Sequence, residues 1–314
     1  MVDNSISGNA IASNSIQNNK PSKSSVVAGL MGGYVANYYI KKSISSVAGV
    51  PFNKGVENVV SQFSLGGKLS DKIPFFQQAI KDAFTKSNLS GKGVKIVEAT
   101  LENSPKICEM WLNTSPKWIK SLVNKFPLFG LGFRSVFDAQ VSFANKGLNA
   151  FYIPKKAKSI IINSEKNPLL AFHEIGHGIN YNTKCFGNIL SKLKSPMLKA
   201  AGLITLVALC KRKKQEGEKP KGVFDKVTTF IKNNCGKLAF LCAVPTIAEE
   251  GLATLKGLKL AKSAGLSEKM LKQVKMLNIK GWFTYIAMGL ALGLGAKVAS
   301  KVKDSISKFG IKNS

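Results

Sequence analysis

Both histidines of this 314-residue chain fall within one five-residue window, His173-Glu174-Ile175-Gly176-His177. On an α-helix, residues four apart share a face, so the two imidazoles can reach a single metal ion. Glu174 stands beside them, placed to take a proton from a water on that metal. The pattern points to zinc-dependent hydrolysis. The competing reading is a buried helix whose histidines are hydrogen-bonded core residues.

The flanks of the motif predict a helix through a protein core. Asn167-Pro168 reads as an N-cap followed by proline at the first helical position. Leu169, Leu170, Phe172, Ile175 and Ile179 supply an apolar surface, and Glu174 is the only charge between Leu169 and Tyr181. Gly176 and Gly178 each cost a helix about 1 kcal/mol. Small residues there allow a second backbone or a substrate to come close.

A catalytic zinc takes three protein ligands and keeps one position for water. No third histidine exists, and positions 180 and 183 are Asn and Thr, so the third ligand is sought among carboxylates and cysteines. Ala248-Glu249-Glu250-Gly251-Leu252-Ala253 lies in an apolar stretch from Leu238 to Leu260, where two carboxylates are expensive to bury without a role. The alternative is a solvent-facing helix N-terminus just after Pro245, where the helix dipole favours glutamate.

These residues resemble the gluzincins, zinc metallopeptidases that carry H-E-x-x-H on one helix and E-x-x-A or E-G-x-A on a later one. Glu250-Gly251-Leu252-Ala253 matches E-G-x-A, and the resemblance therefore selects Glu250 over Glu249 as ligand. Upstream, Asn149-Ala150-Phe151-Tyr152-Ile153-Pro154 and Ser159-Ile160-Ile161-Ile162-Asn163 are similar to the N-A-F strand arrangement of the membrane group containing HtpX and the CAAX prenyl proteases. The resemblance covers about residues 94–260. It implies an α+β, zincin-like core: a small sheet with an edge strand above the motif helix, a helical C-terminal part, and apolar membrane-associated helices. It further implies one Zn2+ per chain held by His173, His177 and Glu250, with Glu174 as catalytic base. The strand Asn149, Ala150, Phe151, Tyr152 would align a peptide or protein substrate by backbone pairing. The pattern has Asp four residues after the ligand glutamate, where this chain has Thr254. Thr254, Glu249 and Asn180 are the candidates to support the ligands from behind. Tyr152, Tyr181 and Tyr285 are the candidates to donate to the reacting carbonyl oxygen. The alternative function is a non-catalytic relative of such proteases that binds zinc or scaffolds a membrane.

Net charge is +29, and of 46 basic residues only Arg134 and Arg212 are arginine. Sequence-reading nucleic-acid proteins use arginine forks, no nucleic-acid motif is present, and no nucleic-acid partner is expected. Lysines facing anionic membrane lipids fit better, at about 1 kcal/mol each near the surface, beside the bland reading of a lysine-rich codon bias. Five cysteines with no C-x-x-C argue against a disulfide framework and for a cytoplasm-facing active site. Nothing in the pattern sets an oligomeric state.

Along the chain, residues 1–25 read as a disordered Ser/Asn-rich tail and 26–52 as an apolar anchor or interfacial helix. Residues 53–260 read as the catalytic domain, with an apolar insert at 195–248, and 261–314 as a helical C-terminal region. An amphipathic helix is expected at Pro74–Ser87 and a strand at Gly93–Ala99. Ala200–Cys210 and Leu238–Ala248 are apolar runs of 11 residues each, short of the ~20 that cross a bilayer. They are expected as membrane-dipping or core helices. Gly281–Ser300 is the best spanning candidate, with lysines on both sides that leave its orientation open.

Overall fold

The computed structural model describes residues 23–117, 120–121, 125–214 and 217–312. The tail expected at 1–25 thus lies outside the described residues up to position 22.

The sheet is small and is built around one strand. Ser159-Ile160-Ile161-Ile162 (β3) is a β-branched run buried at all four positions, as a strand covered on both faces must be. Lys95–Glu98 (β1) pairs with it in parallel, Ile96 opposite Ile160, and Phe151–Ile153 (β2) pairs antiparallel on the other side, Tyr152 opposite Ile160. The order β1-β3-β2 leaves β2 at an edge.

Alternation along β3 sends its side chains to two cores. Ile160 and Ile162 join Leu169, Phe172 and Ile175, together with Phe76 and Ile80 of the amphipathic helix α3 (Ile73–Lys86). Ile161 packs with Ile107 of α4 (Ser104–Thr114) and with Val141 and Ala144 of α5 (Pro127–Asn145). Trp111 of α4 sits against Phe137 and Phe151, ring centroids 4.8 and 4.7 Å away, so Trp111, Phe137 and Phe151 serve packing.

The motif helix α6 (Ala171–Asn182) follows a 3-10 turn at Pro168–Leu170. Asn167 does not cap it through its side chain. Its amide instead donates to Gly147 O at 2.9 Å, tying the entry of α6 to the turn before β2.

The remaining helices are long. They are α7 (Phe186–Cys210), α8 (Gly222–Ser263) and α9 (Glu268–Lys312), joined by α1 (Lys23–Ile44), which packs along α9. Helix α2 (Val50–Phe63) leads from α1 towards α3. The two 11-residue apolar runs thus belong to helices of 25 and 42 residues. The helices continue through Lys199, Lys232 and Lys237, and through Pro196 and Pro245, because packing between neighbours outweighs each local interruption. Among the described residues, α7, α8 and α9 are long and apolar enough to cross a membrane. Leu203, Leu206, Leu241, Phe283, Leu290 and Leu294 lie exposed along them, an apolar surface suited to lipid. The fold is mostly helical, with one small mixed sheet.

Candidate metal centre

The site forms where α6 and α8 meet. The contact is backbone to backbone. A Cβ on Gly176 would lie 2.7 Å from the carbonyl carbon and 2.9 Å from the Cα of Ala253. A Cβ on Gly257 would lie 2.7 Å from the carbonyl carbon of Phe172. Two glycines on opposing helices thus let the axes approach, and the approach delivers Glu249 and Glu250 to the histidines. Both carboxylates are buried, at 0% and 2% exposure. Pro245 lies inside α8, so the pair does not stand at a solvent-facing helix N-terminus.

Three donor atoms converge. His173 Nε2 and His177 Nε2 are 3.0 Å apart, and Glu250 Oε2 lies 3.3 Å from the first and 3.2 Å from the second. Tetrahedral zinc with bonds of about 2.0–2.1 Å spaces its donors roughly 3.3 Å apart. The triangle therefore fits a metal of that size with small adjustment. Glu174, buried on the same helix, presents its carboxylate within the group formed with both histidines.

Each donor is held from behind. His177 Nδ1 lies 2.9 Å from Glu249 Oε1, and the Asn180 amide donates to the same oxygen at 2.8 Å. His173 Nδ1 lies 3.1 Å from Thr254 Oγ1. Thr254 and Glu249 thus sit behind the two imidazoles, while Glu250 Oε2 faces both Nε2 atoms. Such partners fix ring orientation and tautomer.

Lys194 of α7 completes the cluster, donating to Glu249 Oε2 at 2.8 Å and Glu250 Oε1 at 3.0 Å. Sequence reading does not single it out. The only hint is that a buried carboxylate pair demands a cation, and a neighbouring apolar run carries lysines. Glu174, Glu249 and Glu250 against Lys194 leave an excess of two negative charges if both imidazoles are neutral. A dication balances it, whereas unbalanced charge at this depth is costly.

Burial pushes the Glu174 carboxyl above its ordinary value, with the two histidines opposing. Burial disfavours a charged His177, but Glu250 and Glu249 outweigh it and drive the imidazole well above its usual value. A proton and a metal ion thus answer the same excess of carboxylate.

The predicted substrate strand is at the sheet edge, but its side chains are engaged internally. Asn149 donates to Gln140, Ala150 is buried, and Phe151 stacks on Trp111. The Tyr152 hydroxyl accepts from Asn182, and its ring lies 5.4 Å from that of Tyr181 on the motif helix. What β2 offers outward is backbone. Of the three candidate tyrosines, Tyr181 and Tyr285 lie near enough to Glu249, Glu250 and Lys194 to feel their charges.

The buried His/Glu cluster can therefore hold a metal ion. Comparison with protein families, with curated proteins and with solved structures finds no match for this chain.

Proposed function

We propose that this chain is a membrane-associated zinc metallopeptidase of gluzincin type. One observation carries the reading: two imidazole nitrogens and one carboxylate oxygen converge at 3.0–3.3 Å with Glu174 beside them. His173, His177 and Glu250 hold the ion. Bound there, Zn2+ would supply a Lewis acid for the scissile carbonyl and for water. Glu174 accepts a proton from the attacking water and passes it to the leaving amine. Its burial favours the protonated form and makes it able to give that proton back. Glu249, Asn180 and Thr254 keep the imidazoles oriented, and Lys194 occupies the Glu250 oxygen that faces away from the triangle. The outer edge of β2 aligns an extended peptide by strand addition. The five free cysteines fit a site facing the cytoplasm.

A second reading has one observation in its favour. Lys194 already bridges both glutamates, so the cluster could serve as a metal-free ion-pair network in a non-catalytic membrane protein. Elemental analysis of the detergent-purified chain separates the two. We expect one zinc per wild-type chain, sharply less in Glu250→Ala, and full zinc without peptide turnover in Glu174→Gln. No zinc in the wild type would establish the second reading. Equal turnover by Glu174→Gln would reject the mechanism.

A further inference from the structure

The second feature of the long helices lies far from the metal centre. Helices α8 and α9 run antiparallel and touch backbone to backbone at Gly236 and Gly293, where a Cβ on either would lie within 2.8 Å of the other's carbonyl oxygen. Beside this contact is a cleft of about 830 Å³. One end is lined by Phe240, Leu241, Leu290 and Leu294, and the last three are exposed. Towards the other end stand Lys213, Lys237, Lys297 and Lys301.

The cleft is short of negative charge. Its one carboxylate, Asp304, is already taken by Lys232 at 2.8 Å and Lys303 at 2.7 Å. Lys232 is buried and also donates to Ala208 O and Ser300 Oγ, so it acts as an internal pin between α7, α8 and α9. The other four lysines are exposed, and among the described residues none meets a carboxylate within 4.0 Å. Four ammonium groups with no carboxylate partner among the described residues thus ring the mouth of a groove whose far end is apolar.

Position along α8 gives the depth. Along α8, Lys237 and Lys232 are 13 and 18 residues from Glu250, about 20 and 27 Å at 1.5 Å per residue, and Lys301 follows Ser300, which meets Lys232. The cleft lysines thus start inside the ~30 Å of a bilayer's hydrocarbon core and reach towards its far side, where long lysine side chains can extend to the interface. If α8 crosses a membrane, the lysine cluster lies on the side of the bilayer away from the metal centre, and the apolar end of the cleft points into the bilayer.

We propose that this cleft binds an anionic phospholipid of the leaflet opposite the metal centre. The phosphate sits among Lys213, Lys237, Lys297 and Lys301, and an acyl chain runs along Leu241, Leu290 and Leu294. A zwitterionic lipid offers the same phosphate but brings its own cation into the lysine cluster, and a phosphate without a chain leaves the apolar end empty. The site shares no residue with the metal centre and does not depend on its chemistry.

The test titrates the full chain in detergent with phosphatidylglycerol, phosphatidylcholine or inorganic phosphate and reads bound lipid by native mass spectrometry. One phosphatidylglycerol should be retained at a concentration at least tenfold lower than phosphatidylcholine. Lys297→Gln with Lys301→Gln should weaken that retention tenfold or more. Lys272→Gln with Lys275→Gln, equally exposed at the other end of α9, should leave it within twofold, as should Glu250→Ala. If the first pair fails to fold, Lys213→Gln in the connecting loop should weaken retention severalfold. The proposal is overturned by equal retention of the two lipids or by unchanged retention in the cleft variants. It is also overturned by equal loss in the control pair, or by displacement of lipid by an equal concentration of inorganic phosphate.

Discussion

Gly176→Ala adds a single methyl group and tests whether helix packing sets the donor triangle. By propensity alone the change helps, since alanine is about 1 kcal/mol better than glycine in a helix interior. The structure predicts the opposite outcome. The new Cβ would stand 2.7 Å from the carbonyl carbon of Ala253, with the carbonyl oxygen closer still. Carbon contacts are comfortable near ~3.5 Å, so α6 and α8 must part by about 1 Å. Neither side offers a flexible chain end that could swing away, because the obstacle is backbone. Overpacking of this kind costs about 1–3 kcal/mol, which matches or exceeds the propensity gain. The larger effect falls on the metal. Glu250 rides on α8 and the histidines on α6, while metal sites tolerate about 0.2 Å in donor distance. Zinc affinity, measured by competition with a chromogenic chelator, should fall at least tenfold while helix content is retained. Gly257→Ala, one turn along against Phe172, should behave alike. Affinity within twofold of wild type in both variants would refute the reasoning that this contact positions the ligands.

Two further outcomes follow from the cations at the site. Lys194→Met leaves Glu249 and Glu250 without their ammonium partner, a loss of about 3 kcal/mol for a broken buried pair. Thermal unfolding should show most of that loss in chelator and much less with zinc bound; equal losses in both would show that the metal does not balance these charges. At Cys185, burial opposes ionisation, but hydrogen bonds from Thr183 and Lys256 outweigh it and bring the thiol down to about 7. Alkylation by maleimide should therefore rise with pH through about 7, and Lys256→Gln should move that midpoint up towards the ordinary ~8.5; an unmoved midpoint would remove Lys256 from the account.

Much of this protein is written in short-range pattern. The shared face of His173 and His177 follows from 3.6 residues per turn, and α3 and β1 follow from apolar spacing over a dozen residues or fewer. The isoleucine run of β3 is rich in the β-branched side chains that suit a covered sheet, but its burial on both faces is seen only in the fold. Local pattern is less reliable where a tertiary partner competes for the same group. Asn167 has the chemistry of a cap, yet its amide goes to Gly147, 20 residues earlier. The apolar runs around 205 and 243 look too short to cross a bilayer, because lysines and prolines interrupt them. Their helices continue since each interruption costs less than the packing of α7, α8 and α9 gains.

Which distant groups meet is set by helix packing and not by local pattern. Spacing leaves Glu249 and Glu250 equivalent. The close contact of Gly176 with Ala253 turns Glu250 to both Nε2 atoms and Glu249 to the back of His177. Lys194, 55 residues from Glu249, carries no local mark of its role. The lysines of the α8–α9 cleft likewise come together only when antiparallel packing sets positions 237 and 297 beside one groove. Periodicity is a property of the backbone and can be counted along a chain. The meeting of residues dozens apart depends on how whole helices pack, and no count along the chain contains it.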